Sequence, residues 1–282
     1  MSAHQAIPEL RLVPTEHVQF HEHPERARTL RLVERLRAER VLRHPPIVAE
    51  LASGRYMLLD GANRCSAFAE IGLPEIPVQV IDYGDPGVQL KGWHHLLLEG
   101  RKLDLHAVFD AIPGVELRAV PRAQLGPLLE LRSAYAVLVD PSGDCWGLFA
   151  KPPAARALRP WVQVLEQVVA SYEGKTELER IKMADYATLP RVFDSVEHQL
   201  CLFPVFTKIE LLDLAGDGIL IPTGVSRHIV PGRALGLNVG LEFLTELPSA
   251  GERTAFFTRF VERLEVEGRI RLYEEAVFIL NE

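Results

Sequence analysis

Lysine is absent from the first eighty residues, cysteine occurs three times in 282, and no apolar run approaches membrane-spanning length. Each scarcity closes a class of function. Stretches such as Tyr135 to Val139 and Leu202 to Val205 fall far short of the ~20 residues a membrane-spanning helix needs, so a soluble protein with no membrane partner is expected. The opening Met1-Ser2-Ala3-His4-Gln5 has neither the basic start nor the apolar stretch of a secretory signal, which makes the cytoplasm the expected compartment. Cys65, Cys145 and Cys201 are odd in number and widely spaced, a pattern that suits neither a disulfide framework nor a zinc knuckle. Positive charge is also short. With 31 Lys+Arg against 38 Asp+Glu the formal net charge is −7, without the electrostatic footprint of a non-specific nucleic-acid binder. The first eighty residues balance ten Arg with ten acidic residues, so nucleic acid is not an expected partner.

What remains is an ordinary globular composition, 48% hydrophobic and 24% charged, enough for one large or two medium domains. Leu10 to Phe20 alternates around Pro14 and predicts short extended pieces. Pro24 opens a helix in which Leu30, Val33, Leu36 and Val41 recur between arginines. Glu34 and Glu39 interrupt that basic run and Glu25 precedes it, as on a solvated face. Ile47 to Leu51, the Ser53-Gly54 turn and Tyr56 to Leu59 predict a hairpin. Ala62 to Ile71 predicts a helix stopped by Gly72, and Ile76 to Ile81 the next strand. From Asp85-Pro86-Gly87 through Trp93-His94-His95 and Leu105 to Ile112 the pattern loosens, and a connecting region is expected. Beyond it, Tyr135 to Val139 and Cys145 to Phe149 flank the turn Pro141-Ser142-Gly143-Asp144, and Ala157 to Tyr172 has helical periodicity. Phe206 to Leu212 and Gly218 to Pro222 read as strands around Gly216-Asp217-Gly218. A helix near Arg253 to Val266 and strands near Arg269 to Leu280 follow.

The sharpest local signal is Leu58-Leu59-Asp60-Gly61-Ala62-Asn63-Arg64, a strand that ends in Asp-Gly and opens a helix with arginine in its first turn. Free backbone N–H groups and the positive end of a helix favour phosphate, and Arg64 can add a bidentate contact. The plainer alternative is a strand-to-helix turn in which Gly61 relieves strain and Arg64 pairs with a nearby acid. Spacing alone leaves both open.

Around this motif, the order His21-Glu22, a helix, Pro45-Pro46-Ile47-Val48, Tyr56 to Leu59, Asp60 to Arg64 and Val78-Gln79-Val80 resembles the ParB/sulfiredoxin superfamily, and within it the free L-serine kinase branch. Trp93-His94, Val168-Val169-Ala170-Ser171-Tyr172 with Glu179-Arg180-Ile181, and Pro222-Thr223-Gly224-Val225-Ser226-Arg227 are similar to the same branch, including relatives encoded beside siderophore biosynthesis. The resemblance covers most of the chain. It implies a phosphotransferase with an alcohol acceptor, moving a phosphoryl group from ATP or ADP to the hydroxyl of free L-serine to give O-phospho-L-serine, with Mg²⁺ as cofactor. Sulfiredoxins place a reactive Cys before a His-Arg pair, where this chain has Ala62, Asn63 and Arg64; Cys65 follows the arginine and is read as packing. Chromosome-partitioning ParB proteins carry a Gly-Glu-Arg-Arg motif and a helix-turn-helix domain, whereas this chain has Gly61-Ala62-Asn63-Arg64 and no evident recognition helix. Serine kinases of the branch often have His where this chain has Asn63, so an amide replaces a cationic phosphate contact and still donates to phosphate oxygen.

On this resemblance Gly61, Ala62, Asn63 and Arg64 bind the nucleotide, and Glu22 is the general base that takes or orients the serine hydroxyl proton. Asp60 is catalytic as the Mg²⁺ ligand, since magnesium usually takes one or two carboxylates plus phosphate oxygens. Trp93, His94, Thr223, Ser226 and Arg227 bind serine, Arg227 through the carboxylate. Plainer alternatives stand beside these roles: Glu22 as an acid before a helix start, Asp60 as a helix cap, Trp93 as core, and Thr223 to Arg227 as a structural turn. His21 and His23 flank Glu22 without a third ligand nearby and are read as surface histidines that at most orient it. The expected architecture is α/β (α+β), with a ParB/sulfiredoxin-like nucleotide-binding domain over residues 1–90. A mixed α/β C-terminal domain over residues 91–282 is expected to contribute to the substrate site. The alternative function is a nucleotide-responsive ParB-like regulatory protein that binds DNA or a protein partner without turnover.

Overall fold

Residues 7–151, 157–182, 186, 189 and 192–272 are described by the computed structural model, and they group into two units. The first takes in the chain to Phe20, Pro24–Val88 and everything from Val230 on; the second takes in His21–His23 and Gln89–Ile229.

The first unit begins with β1 (Glu9–Pro14), β2 (Val18–Gln19), α1 (Arg26–Glu39), β3 (Val41–Leu42), β4 (Ile47–Glu50), β5 (Tyr56–Asp60), α2 (Ala62–Ile71) and β6 (Glu75–Ile81). Five of these strands form one sheet in the order β1-β6-β4-β5-β2. The hairpin read from the Ser53-Gly54 turn is β4 antiparallel to β5, while β4 runs parallel to β6 and β2 parallel to β5. The apolar stripe of α1, Val33 and Leu36, shares one buried core with Val48, Leu58, Phe68, Ile76 and Val78. Val41, read as part of that helical stripe, instead enters β3. Arg40 turns into the left-handed region at φ 52° and donates its N–H to the Leu36 carbonyl, which ends the helix.

The second unit continues with β7 (Gln89–Gly92), β8 (His94–Leu97), α3 (Leu105–Asp110), β9 (Val115–Ala119), α4 (Leu125–Glu130), β10 (Ala136–Val139), β11 (Cys145–Ala150), α5 (Leu158–Ala170), β12 (Leu178–Ile181), β13 (Gln199–Leu202), α6 (Lys208–Gly216) and β14 (Ser226–Ile229). Its antiparallel sheet has the order β12-β8-β13-β10-β11-β9, and β14 pairs separately with β7. Three expectations are corrected here. The supposed connecting region contains β7, β8 and α3; all four residues of β8 are buried, so the strand lacks the alternation by which a half-exposed strand is recognised. Phe206 to Leu212 is not a strand, because Thr207 and Glu210 form a reciprocal capping box that starts α6. Gly218 to Pro222 likewise forms no strand beyond a single bridge at Ile221.

After Val230 the chain adds β15 (Val239–Gly240), α7 (Phe243–Glu246) and α8 (Ala250–Val266) to the first unit. β15 pairs with β3, and Leu237, Val239, Phe243, Leu244 and Phe257 join the first unit's core. The grouping therefore differs from a single domain over residues 91–282, because the last segment's apolar side chains are spent on the first unit. Arg269 to Leu272 form no strand, and the remainder of the strands expected there lies outside the described residues. Among the described residues no helix is long and apolar enough to cross a membrane.

Candidate functional site

In the first unit the strand β5 delivers Asp60 to the start of α2, and Gly61 makes the turn at φ 104°. A side chain there would be strained twice over: the conformation is rare for L residues, and a Cβ would lie 3.0 Å from both Arg64 Nη2 and Pro46 Cβ. Arg64 is largely buried. Its Nη1 donates to the carbonyls of His44 (2.8 Å) and Pro45 (3.3 Å), and its Nη2 donates to Asp60 Oδ2 at 2.9 Å. The pairing with a nearby acid, one of the two alternatives raised by the sequence, is thus present. Asn63 Oδ1 accepts the Glu25 N–H (2.8 Å) and the Thr29 hydroxyl (3.2 Å), so this side chain fastens the start of α1. Arg233, unremarked in the sequence, also donates to Asp60 Oδ2. Cys65 is buried, and burial pushes its thiol up to about 12, which keeps it protonated and fits the packing role.

In the second unit the structure joins segments two hundred residues apart. Glu22 bridges Ile221 in parallel, with the Ile221 N–H donating to the His21 carbonyl (2.8 Å) and the His23 N–H to the Ile221 carbonyl (3.2 Å). Glu22 is therefore held in an extended backbone pairing with Ile221 rather than at the start of α1. Its Oε2 accepts the Gly224 N–H at 3.4 Å, and the Thr223 hydroxyl donates to the His23 carbonyl at 2.8 Å. Gly224 has φ 72° and lies against the Arg180 guanidinium, where any Cβ would collide. His21, expected at the surface, is buried and its Nε2 lies 2.9 Å from Ser226 Oγ. Trp93 carries the Arg227 guanidinium 4.8 Å from its ring centroid and the Lys182 ammonium at 5.8 Å, a cation-bearing indole face.

His94 and Trp93 part company. His94 is buried, its Nδ1 accepts the Phe203 N–H at 3.1 Å, and burial lowers it to about 4. A neutral, backbone-bound imidazole of this kind supports the sheet. Its neighbour His95, missed in the sequence, connects more closely to Glu22. His95 Nε2 is 2.9 Å from the Gly224 carbonyl, which can only accept, so Nε2 carries the proton and Nδ1 accepts from the Tyr172 hydroxyl at 2.8 Å. Gly224 is thus held at its N–H by Glu22 and at its carbonyl by a buried His95–Tyr172 pair. Tyr172 and Arg180 lie in segments already singled out by resemblance; His95 had only adjacency to His94 as a signal.

Among the described residues no group of three or more His, Cys, Asp or Glu side chains is arranged to hold a metal. A cavity of about 490 Å³ lined by Val120, Arg122, Asp144 and Trp146 contains none of the residues above.

No protein-family model matches the chain. It is 32% identical over 204 residues to an ATP-dependent L-serine kinase of Staphylothermus marinus, covering 71% of this chain and 77% of that protein. It is 25% identical over 274 residues to the ATP-dependent L-serine kinase SbnI of Staphylococcus aureus, covering 97% of each. The structure of SbnI with a C-terminal truncation, from Staphylococcus aureus, matches with a TM-score of 0.72 at 23% identity, covering 90% of this chain and 96% of that one. That likeness establishes the mixed α/β fold.

Proposed function

The chain belongs to the ATP-dependent L-serine kinase family, and from that premise we infer that it transfers the γ-phosphoryl group of ATP to the hydroxyl of free L-serine. The products are O-phospho-L-serine and ADP. The observation that carries this reading is the 32% identity to a named L-serine kinase over 77% of its length. A cytoplasmic location suits it.

The serine Oγ forms a bond to Pγ as the bond from Pγ to the β,γ-bridging oxygen breaks, and the hydroxyl proton must go to a base. Glu22 takes that proton; the Gly224 N–H on its Oε2 orients the carboxylate without supplying a competing positive charge. Arg227, resting on Trp93, offers its planar fork to the amino-acid carboxylate, and Thr223 and Ser226 line the same turn. His94 supports this region from behind rather than touching serine, given its buried bond to Phe203. On the donor side, the N–H groups at the start of α2 favour the phosphates, with Gly61 and Ala62 allowing close approach. Arg64 and Asn63 act mainly by holding that turn and the start of α1.

Magnesium fits Asp60 as a nucleotide-borne ion. Both arginines engage Oδ2, so Oδ1 would be the oxygen to hold it. Such an ion would neutralise charge developing on the transferring phosphates.

Purified protein incubated with Mg²⁺, ATP and L-serine should yield O-phosphoserine and ADP in equal amounts, read by ³¹P NMR and mass spectrometry. Nucleotide binding without phosphoserine would overturn the kinase reading and favour a nucleotide-responsive regulator.

A further inference from the structure

Arg233 sits on a loop of the first unit that is fastened on both sides of it. Gln79, buried on β6, donates from Nε2 to the Gly232 carbonyl at 3.0 Å and accepts the Ala234 N–H on Oε1 at 2.8 Å. Farther along, the Gly236 N–H donates to His44 Nδ1 (3.0 Å) and the Asn238 N–H to the Arg43 carbonyl (3.3 Å). A buried amide with both ends satisfied thus fixes the two residues flanking an arginine whose own side chain is 42% exposed. That arginine meets Asp60 Oδ2, the same oxygen that binds Arg64. One carboxylate facing two guanidinium groups leaves a surplus positive charge, and it does so beside the Gly61 turn.

We propose that Arg233 is a nucleotide-binding residue that takes the β- and γ-phosphates of ATP, exchanging Asp60 for phosphate oxygens, with Gln79 as its positioning residue. The ligand's identity rests on the serine-kinase reading. Asp60 would hold a nucleotide-borne metal that neutralises charge on the phosphates, and a guanidinium paired with Asp60 would lie within reach of the same phosphates. A planar guanidinium matches phosphate as well as it matches carboxylate, so the exchange keeps the arginine paired throughout.

Calorimetry of the full chain with AMP, ADP and ATP, in Mg²⁺ and without serine, tests this directly. Arg233→Ala should weaken ATP binding about tenfold or more while AMP binding stays within twofold, and Arg233→Lys should fall between, because a charge remains and the fork is lost. Gln79→Leu should reproduce the ATP-selective loss. Arg233 is exposed enough to be replaced without disturbing packing, so its result stands even if Gln79→Leu fails to fold. An ATP affinity within twofold of the parent in Arg233→Ala, or an equal loss for AMP, overturns the proposal. A selective ATP loss in a protein that makes no phosphoserine would leave Arg233 assigned and remove the kinase reading, whereas phosphoserine formation with unchanged ATP affinity would do the reverse.

Discussion

Glu22 and Arg64 are both charged residues beside a turn, yet their surroundings assign them different work. Glu22 is held by its backbone, through the pairing with Ile221, and its carboxylate accepts the peptide N–H of Gly224. Glu22→Gln keeps size and the ability to accept that N–H, but cannot take a proton. Its turnover should fall by ~10²-fold or more, the usual scale for losing a general base, with ATP affinity unchanged by calorimetry. Activity within a few-fold of the parent would remove the base assignment. Arg64 is the reverse case, a guanidinium used up on two carbonyls and Asp60. Arg64→Ala should release the Asp60-Gly61 turn and weaken AMP and ATP alike, by about 1.5 to 3 kcal/mol as for other hydrogen bonds to charged groups. Equal loss for both nucleotides separates this bracing role from the ATP-selective effect expected at Arg233. Resemblance singled out Glu22, Asp60 and the Thr223 to Arg227 turn as candidates, because they sit in short motifs with fixed neighbours. Arg233 and Gln79 were not, since a side-chain clamp between residues some 150 positions apart leaves no periodic trace.

Among the elements, β8 shows what periodicity conceals. A strand covered on both faces carries no alternating pattern, and in β8 two of the four buried positions are histidines, which break what would otherwise be an apolar run. Burial lowers both His94 and His95 from 6.5 to about 4, the latter with further lowering from Arg180 and His94 against the raising effect of the Gly224 carbonyl. Each is neutral in the folded chain and protonates in the unfolded chain below about 6.5. The stabilisation is therefore complete above pH 6.5 and is lost as pH falls towards 4, where the unfolded state has taken up protons that the folded state refuses. Urea unfolding should show a lower midpoint at pH 5 than at pH 7.5, corresponding to a loss of unfolding free energy of up to about 2 kcal/mol for each histidine. His95→Gln should narrow that difference, and a midpoint indifferent to pH over this range would mean that the two rings are not desolvated. In α6 the opposite error arose: the apolar residues of Phe206 to Leu212 suggest a strand, but the Thr207–Glu210 capping box decides for helix. Glu210 is lowered despite burial, which alone would raise it, because the Thr207 backbone and Arg132 both favour its charged form.

At the scale of the whole molecule, the last segment closes what the first eighty residues begin. The order of strand, helix, hairpin, helix and strand was legible from local pattern, yet that segment alone does not cover its own apolar surface. α8 supplies the missing layer through Phe257, which is 2% exposed and stacks near Phe243 and Phe260 at centroid distances of 6.4 and 6.3 Å. Arg253 on the same helix grips Glu75 at the start of β6 with both Nε (2.5 Å) and Nη2 (3.0 Å). Neither contact could be read in advance, because an amphipathic helix announces which face is apolar and not which distant surface will receive it. Phe257→Ala should therefore destabilise the first unit by about 3 to 5 kcal/mol, the range for removing a buried aromatic ring without refilling its space. Chemical denaturation followed by tryptophan fluorescence would not isolate this unit, since Trp93, Trp146 and Trp161 all belong to the second. Hydrogen exchange resolved by peptide is the suitable measurement. Faster exchange in β1, β6 and α2, with protection in β10, β11 and α5 unchanged, is the expected result. A loss below about 1 kcal/mol would mean that α8 decorates the first unit, and a loss of protection shared by both sheets would mean that the two units unfold as one.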